Sequence, residues 1–151
     1  MPSFEPQDPY FEARVRASFA RQQVMATLGA TMARVAPGEV EIELPFRVDL
    51  TQQNSFLHAG IVTTIVDSAC GYAAYSLMPA GVNVLTVEYK VNLLAPARGE
   101  RFVARGSVLR AGRTITVCAG DVVAVQDDRE QLVATMLATM MTVRDRPGAA
   151  E

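Results

Sequence analysis

The segment from Glu39 to Phe46 alternates between apolar residues and glutamates. A period of two is typical of an antiparallel strand with one buried and one half-exposed face. Pro37-Gly38 marks a turn before this segment, and a first strand from about Leu28 to Val35 precedes the turn. Four further strand-like segments follow later in the chain, separated by turn signals: Val84 to Leu94, Arg101 to Ala111, Thr114 to Val125, and Leu132 to Val143.

Two other segments have helical character. From about Pro9 to Gln22, aromatic and aliphatic residues recur at helical spacing with arginines between them, which predicts a short amphipathic helix. From Gly60 to Leu77 the chain is apolar on nearly every side, and a helix of that kind is normally buried. Strands on both sides of one apolar helix predict an α+β domain with an antiparallel sheet wrapped around a long central helix. The edges of such a sheet are sites where a second copy could pair.

The 151 residues suit one domain with one core. We expect a helical segment over residues 1–26 that packs on the domain, the domain itself over residues 27–144, and a flexible tail over residues 145–151. A net charge of −2 argues against nucleic acid or an anionic membrane as the main partner. The start of the chain does not resemble a signal peptide, and no uncharged apolar run reaches the ~20 residues that span a bilayer. We therefore expect a cytoplasmic protein.

Asp67 is the only charged residue in the apolar helix. Aspartate is almost never fully buried without a partner, because burial of a carboxylate costs free energy. A carboxylate at this position therefore indicates a specific partner or a function. Buried carboxylates with perturbed pKa values mark functional sites, although structural ones exist as well. Cys70 and Cys118, by contrast, lie in apolar surroundings with no metal or redox spacing and are interpreted as core residues. With one histidine besides, the sequence predicts no metal site.

The residues around this helix are similar to a known family. The stretch Gln52-Gln53-Asn54-Ser55-Phe56-Leu57-His58-Ala59-Gly60, then Asp67, then Thr86 to Ala97, resembles the hotdog-fold acyl-CoA thioesterases of the phenylacetate-degradation (PaaI-like) group. The resemblance implies a hotdog fold for residues 27–144, an acyl-CoA substrate, no cofactor besides the coenzyme A of that substrate, and a homodimer or a dimer of dimers. The family signature is His-Gly-Gly, and Ala59 replaces its middle glycine here.

The chemistry of this arrangement follows from the helix start. The first N–H groups of a helix have no intrahelical partner and carry partial positive charge, so those of Ala59 and Gly60 suit the thioester oxygen that becomes negative during attack. Asp67 is the predicted catalytic carboxylate, either as a general base for water or as a nucleophile that forms an anhydride. Eight residues of helix separate Ala59 from Asp67 by about 12 Å. One carbonyl group cannot easily touch both, which predicts a homodimer with two shared sites.

Three further candidates surround this pair. The family often has an amide six residues before the histidine, and Gln52 matches that offset; Asn54 lies two residues nearer, and either residue is alternatively a turn former. Thr86 matches a position where the family often has a hydroxyl that contacts the catalytic water. Strand alternation, however, puts Thr86 on the same face as Glu88, so its role requires a bend in the strand or cover from a partner.

The remaining candidates are predicted to bind substrate. We expect His58, the single histidine, to orient the loop by hydrogen bonding to the backbone, since the family does not generally use it as a base. Arg110 and Arg113, together with Arg105, flank the turn at Gly112 and suit the phosphates of coenzyme A. The alternative for all three is a solvated surface.

The sequence thus predicts an enzyme, an acyl-CoA thioesterase that converts an acyl- or aryl-CoA thioester to a free acid and coenzyme A. An alternative is a protein of the same fold that binds acyl-CoA or another apolar ligand without hydrolysing it, although such a binder has no need of Asp67. A hotdog dehydratase or hydratase fits the pattern less well.

Overall fold

The computed structural model describes residues 3–144; the predicted flexible tail lies outside this range. Two short helices open the chain and a long one lies between the second and third strands: α1 Phe11–Arg21, α2 Gln23–Leu28 and α3 Ala59–Tyr75. A single turn of 3₁₀ helix, Val48–Leu50, follows the second strand. The six strands are β1 Thr31–Ala36, β2 Glu39–Pro45, β3 Val82–Leu93, β4 Arg101–Ala111, β5 Ile115–Gln126 and β6 Arg129–Arg144.

The six strands form one antiparallel sheet in the order β1-β2-β4-β5-β6-β3. Helix α3 packs against five of these strands, so the sheet wraps around it. The alternation of β2 has the predicted consequence, since Val40, Ile42 and Leu44 are buried beneath the helix while the glutamates between them are half-exposed. The predicted α+β class, with an antiparallel sheet around a central helix, is confirmed.

Two glycines allow α3 to lie close to the sheet. A Cβ atom on Gly106 of β4 would collide with the backbone of Ala69 and Cys70. A Cβ atom on Gly120 of β5 would lie 2.6 Å from Val66 Cγ2. Any larger residue at these positions would push the helix away from the strands that bury it, so the close contact depends on both glycines.

The N-terminal segment contains more helix than the sequence pattern indicated. A second helix, α2, follows α1 and is capped at its C-terminal end by Gly29, whose φ of 77° is left-handed. The first strand therefore begins at Thr31 and not near Leu28. Val15 of α1 is completely buried, so this helix packs on the core. The boundary between a segment 1–26 and a domain 27–144 stays a prediction.

Strand β3 contains a bulge that changes which side chains face the helix. Its pairing with β6 shifts between Thr86 and Glu88, which leaves Val87 as the extra residue. Thr86 lies opposite the buried Met140, so it faces α3, whereas Glu88 lies opposite Thr139 on the outer face. The expectation that Thr86 and Glu88 share one face is therefore wrong. The bend that the predicted role of Thr86 requires is this bulge, which lies inside β3.

Candidate active site

The loop before α3 is held in place by hydrogen bonds at its end. The N–H of Leu57 donates to Ala97 O at 3.0 Å, and the N–H of His58 donates to Leu50 O at 3.0 Å. His58 is the N-cap of α3, where its Nδ1 atom accepts a hydrogen bond from the N–H of Gly60 at 2.8 Å. The ring thus makes the contact to the backbone that we expected, and its role in substrate binding stays a prediction.

This cap changes which helix N–H groups can bind a substrate oxygen. The N–H of Gly60 is already engaged by His58, so the expectation that Gly60 offers a second free donor is corrected. No hydrogen bond within residues 3–144 uses the N–H of Ala59, the first residue of the helix. Ala59 therefore offers the available backbone donor at this end of α3.

Ala59 lines a groove of about 450 Å³ that is bounded by the loop before α3 and by the end of β3. Gln52 and Phe56 line the same groove. The Oε1 atom of Gln52 accepts a hydrogen bond from the N–H of Asn54, so part of this amide holds the loop. Asn54 itself is exposed and does not line the groove. The structure thus brings Gln52 near Ala59 and leaves Asn54 in the turn.

Asp67 lies in the middle of α3 and is half-buried. The hydroxyl of Thr86 donates to Asp67 Oδ1 at 2.8 Å, a contact that the bulge in β3 makes possible. Burial raises the pKa of Asp67 above its ordinary value of 3.8, and the hydrogen bond from Thr86 opposes part of that shift. The second carboxylate oxygen has no hydrogen-bond partner within residues 3–144, so it can accept a proton from water or attack a carbonyl carbon.

Asp67 opens into a second cavity, of about 160 Å³. Among residues 3–144, none that lines this cavity also lines the groove at Ala59. Two polar residues from the N-terminal segment, Ser18 and Gln22, form part of its wall. Sequence reasoning missed this pair. Their spacing of four residues, one helical turn, was a signal for a shared polar face, but nothing local showed that this face lies against Asp67.

The three arginines near Gly112 do not lie at either cavity. Arg105 pairs with Glu130 at 2.6 Å and with Glu41 at 3.1 Å, so its charge is already compensated and the phosphate assignment is not supported. Arg110 and Arg113 are exposed near the turn between β4 and β5. Arg98, which the sequence did not single out, lies beside the groove with its guanidinium 5.4 Å from the centre of the Phe56 ring.

Both cysteines are buried core residues with free thiols, as predicted. Burial raises the pKa of the Cys118 thiol to about 12 and also raises that of Cys70, which keeps both protonated at neutral pH. Residues 3–144 include no group of three histidine, cysteine or acidic residues placed to hold a metal ion. None of the helices in this range combines the length and apolar character needed to cross a bilayer.

A helix buried in an antiparallel sheet, with a free N–H at its start and a carboxylate two turns later, is the arrangement predicted for a hotdog-type hydrolytic site. The family model of the Thioesterase superfamily matches residues 54–131, just over half of the chain. The protein belongs to this superfamily and is by class a thioester hydrolase. The predicted recognition, fold and enzyme class are thereby confirmed.

Three known proteins show how this chain is related to the superfamily. The crystal structure of a thioesterase family protein from Silicibacter pomeroyi is 54% identical, with a TM-score of 0.88 over 89% of this chain and 99% of that one. The medium/long-chain acyl-CoA thioesterase YigI of Escherichia coli is 29% identical over 58% of this chain and 63% of its own. The E. coli PaaI protein from the phenylacetic acid degradation operon shares the fold, with a TM-score of 0.80 at 15% identity over 91% and 96% of the two chains.

Proposed function

We propose that the protein hydrolyses acyl-CoA thioesters to a free acid and coenzyme A at two sites shared between the subunits of a homodimer. The observation that carries this proposal is the separation of Ala59 and Asp67. They lie on one helix, about 12 Å apart along its axis, and open into different cavities. Each chain thus offers two half-sites, and a two-fold axis that sets two α3 helices antiparallel would join each donor to a carboxylate of the other subunit.

The first half-site polarises the carbonyl. The N–H of Ala59 donates to the thioester oxygen and stabilises the negative charge that develops during attack. His58 holds the first turn of α3 through Gly60, so this donor is preorganised before substrate binds. Gln52 lies in the same groove and positions the thioester or the attacking water. The pantetheine arm would lie in this groove of about 450 Å³, and Arg98 beside it would bind a phosphate of coenzyme A.

The second half-site supplies the proton chemistry. Asp67 of the other subunit either takes a proton from a water that attacks the carbonyl carbon, or attacks that carbon itself to form an anhydride that water then opens. Both routes expel coenzyme A as a thiolate, which takes up a proton on release. The hydroxyl of Thr86 donates to one carboxylate oxygen of Asp67 at 2.8 Å, so the other oxygen is left to react with the water or the thioester. No cofactor other than the substrate's coenzyme A enters either route.

The edge strand β3 supports the proposed dimer. It has no neighbour on its outer side within residues 3–144 and exposes several large apolar residues. These are Leu85, Val87, Tyr89 and Leu93, each between 44% and 57% exposed. A free strand edge with apolar side chains pairs readily with a second copy. The family resemblance extends this to a dimer of dimers, and we include in the proposal both this assembly and the cytoplasmic location expected from the sequence.

Substitution of Asp67 tests the proposed function. Asp67→Asn keeps the size of the side chain and its hydrogen bond to Thr86 but removes the base, so release of free thiol from a panel of acyl- and aryl-CoA thioesters should fall by at least about 100-fold. Asp121→Asn is the matched control, because Asp121 is an exposed aspartate of β5 that lines neither cavity. Undiminished turnover by Asp67→Asn would refute the assignment. Tight binding of the panel without any thiol release would identify a binding protein instead.

A further inference from the structure

We propose that the N-terminal helix makes this enzyme selective for short acyl groups that end in a hydrogen-bonding group. This inference rests on the proposed function, because it takes the cavity at Asp67 as the acyl pocket. With the thioester carbon at Asp67, the acyl group extends into the cavity that this carboxylate lines. The far wall of that cavity comes from Ser18 and Gln22, which lie outside the segment matched by the family model.

The wall carries polar atoms linked to the central helix. The Ser18 hydroxyl lies 3.2 Å from the hydroxyl of Tyr72, and the Ser68 hydroxyl donates to Gln22 Oε1 at 3.2 Å. Gln22 is half-buried, and its side-chain NH₂ group has no hydrogen-bond partner within residues 3–144. The amide of Gln22 is thus held by one atom and offers its donor to the cavity.

The wall is also fixed in position. Arg14 of α1 pairs with Asp8 at 3.0 Å and donates to Met78 O at 2.8 Å, just beyond the end of α3. The rings of Phe19 and Tyr72 meet edge-on with their centres 6.0 Å apart. These contacts bind α1 to the C-terminal half of α3 and hold the polar wall in place beside the cavity.

Volume and polarity together define the acyl group. A cavity of about 150 Å³ accommodates one benzene molecule, so the space of about 160 Å³ between Asp67 and the polar wall matches an acyl group of about six heavy atoms. An alkyl end would remove water from Gln22 and Tyr72 without replacing its hydrogen bonds, and a site built to hydrogen-bond its substrate discriminates strongly against such an analogue. A hydroxyl or carbonyl at the end of the acyl group would restore those hydrogen bonds.

Matched ligands test this inference on the full chain. Thioether analogues of coenzyme A, which cannot be hydrolysed, would carry hexanoyl-like, 6-hydroxyhexanoyl-like and decanoyl-like groups, and calorimetry would give their Kd values. The parallel thioesters would give kcat/KM by thiol release. We expect the hydroxylated six-carbon ligand to be preferred over its parent by about 10-fold or more in both measurements, and the ten-carbon ligand to be the poorest.

Substitution of Gln22 identifies the origin of the preference. Gln22→Met keeps the length of the side chain and removes its donor, so the ratio between the two six-carbon ligands should approach one. Gln23→Met is the matched control, because Gln23 is exposed and does not line the cavity; it should keep the wild-type ratio. Ser18→Ala removes a second polar group from the wall and should lower the ratio as well, which provides a test if Gln22→Met does not fold.

The outcomes separate this inference from the proposed function. Equal affinity of wild type for both six-carbon ligands would refute the proposed selectivity, even if hydrolysis depends on Asp67. An unchanged ratio between these two ligands in Gln22→Met and Ser18→Ala would refute it as well. A preference among the thioethers that disappears in Gln22→Met, combined with no hydrolysis of the thioesters, would support the selectivity proposed for the polar wall and refute the proposed hydrolysis.

Discussion

Ala59→Pro removes one proposed catalytic group while leaving the fold able to form. Ala59 is the first residue of α3, a position where proline is favoured because its missing N–H has no intrahelical partner. His58 before it has φ of −60° and ψ of 136°, which is the conformation that a following proline requires. Since no hydrogen bond within residues 3–144 uses the Ala59 N–H, its removal should not change the melting temperature.

The effect on catalysis should be large. Removal of one preorganised donor to a developing oxyanion typically lowers kcat by about 10²–10³-fold. Ala59→Val is the control for bulk, because valine has nearly the volume of proline and keeps the N–H. Thiol-release assays should therefore show a large loss of kcat for Ala59→Pro and a much smaller change for Ala59→Val. Equal losses for the two variants would show that size, and not the missing donor, is responsible.

Mixed dimers then test whether the sites are shared. Ala59→Pro and Asp67→Asn should each be nearly inactive alone. In a mixed dimer one site would combine the intact Ala59 of one chain with the intact Asp67 of the other, and the second site would carry both defects. Random mixing after co-refolding makes about half of the dimers mixed, so activity should return to about a quarter of wild type. No recovery from mixed dimers that are present in solution would refute the shared site.

Three further results are expected. Burial raises the pKa of Asp67, so the folded chain binds a proton at this carboxylate more tightly than the unfolded chain does. The stability of the folded state therefore falls as the pH rises from 3.8 through the raised pKa. Asp67→Asn should melt at a higher temperature than wild type at pH 8, and this gain should shrink below pH 4. Thr86→Val removes the hydrogen bond that lowers the pKa of Asp67, so the acid limb of the profile of kcat/KM against pH should move to higher pH; an unmoved limb would mean that another group titrates. Gly106→Ala forces a side chain against the backbone of Ala69 and should cost about 1–3 kcal/mol, measured as a melting temperature lower by roughly 2–4 °C for each kcal/mol.

Much of the fold was predictable because its signals are local. The period of two in β2 predicted both the strand and its buried face, and turn residues marked the other strand limits within a few positions. The composition of α3 predicted a buried central helix, and its one charge singled out Asp67 before any resemblance was considered. The N-terminal segment was less predictable, since α2 is only six residues long and its end depends on a left-handed Gly29.

Several residues of the candidate site could be named from the sequence, but their geometry could not. Nothing in the sequence of β3 marks Val87 as a bulge, because valine is an ordinary strand residue; the bulge is visible only in the pairing with β6. Likewise the sequence did not show that His58 occupies the N–H of Gly60. Nor did it show that glutamates neutralise Arg105.

The sequence by itself determined the class of fold, the long apolar helix and the place of its one carboxylate, because periodicity and composition act over a few residues. The family resemblance added the candidate roles of that carboxylate and of the helix start. Only the tertiary structure decided that Thr86 faces Asp67, that Ser18 and Gln22 close the neighbouring cavity, and that Ala59 and Asp67 open into separate spaces. Those relations join residues far apart in the chain, and they are set by strand register and helix packing, which local patterns do not encode.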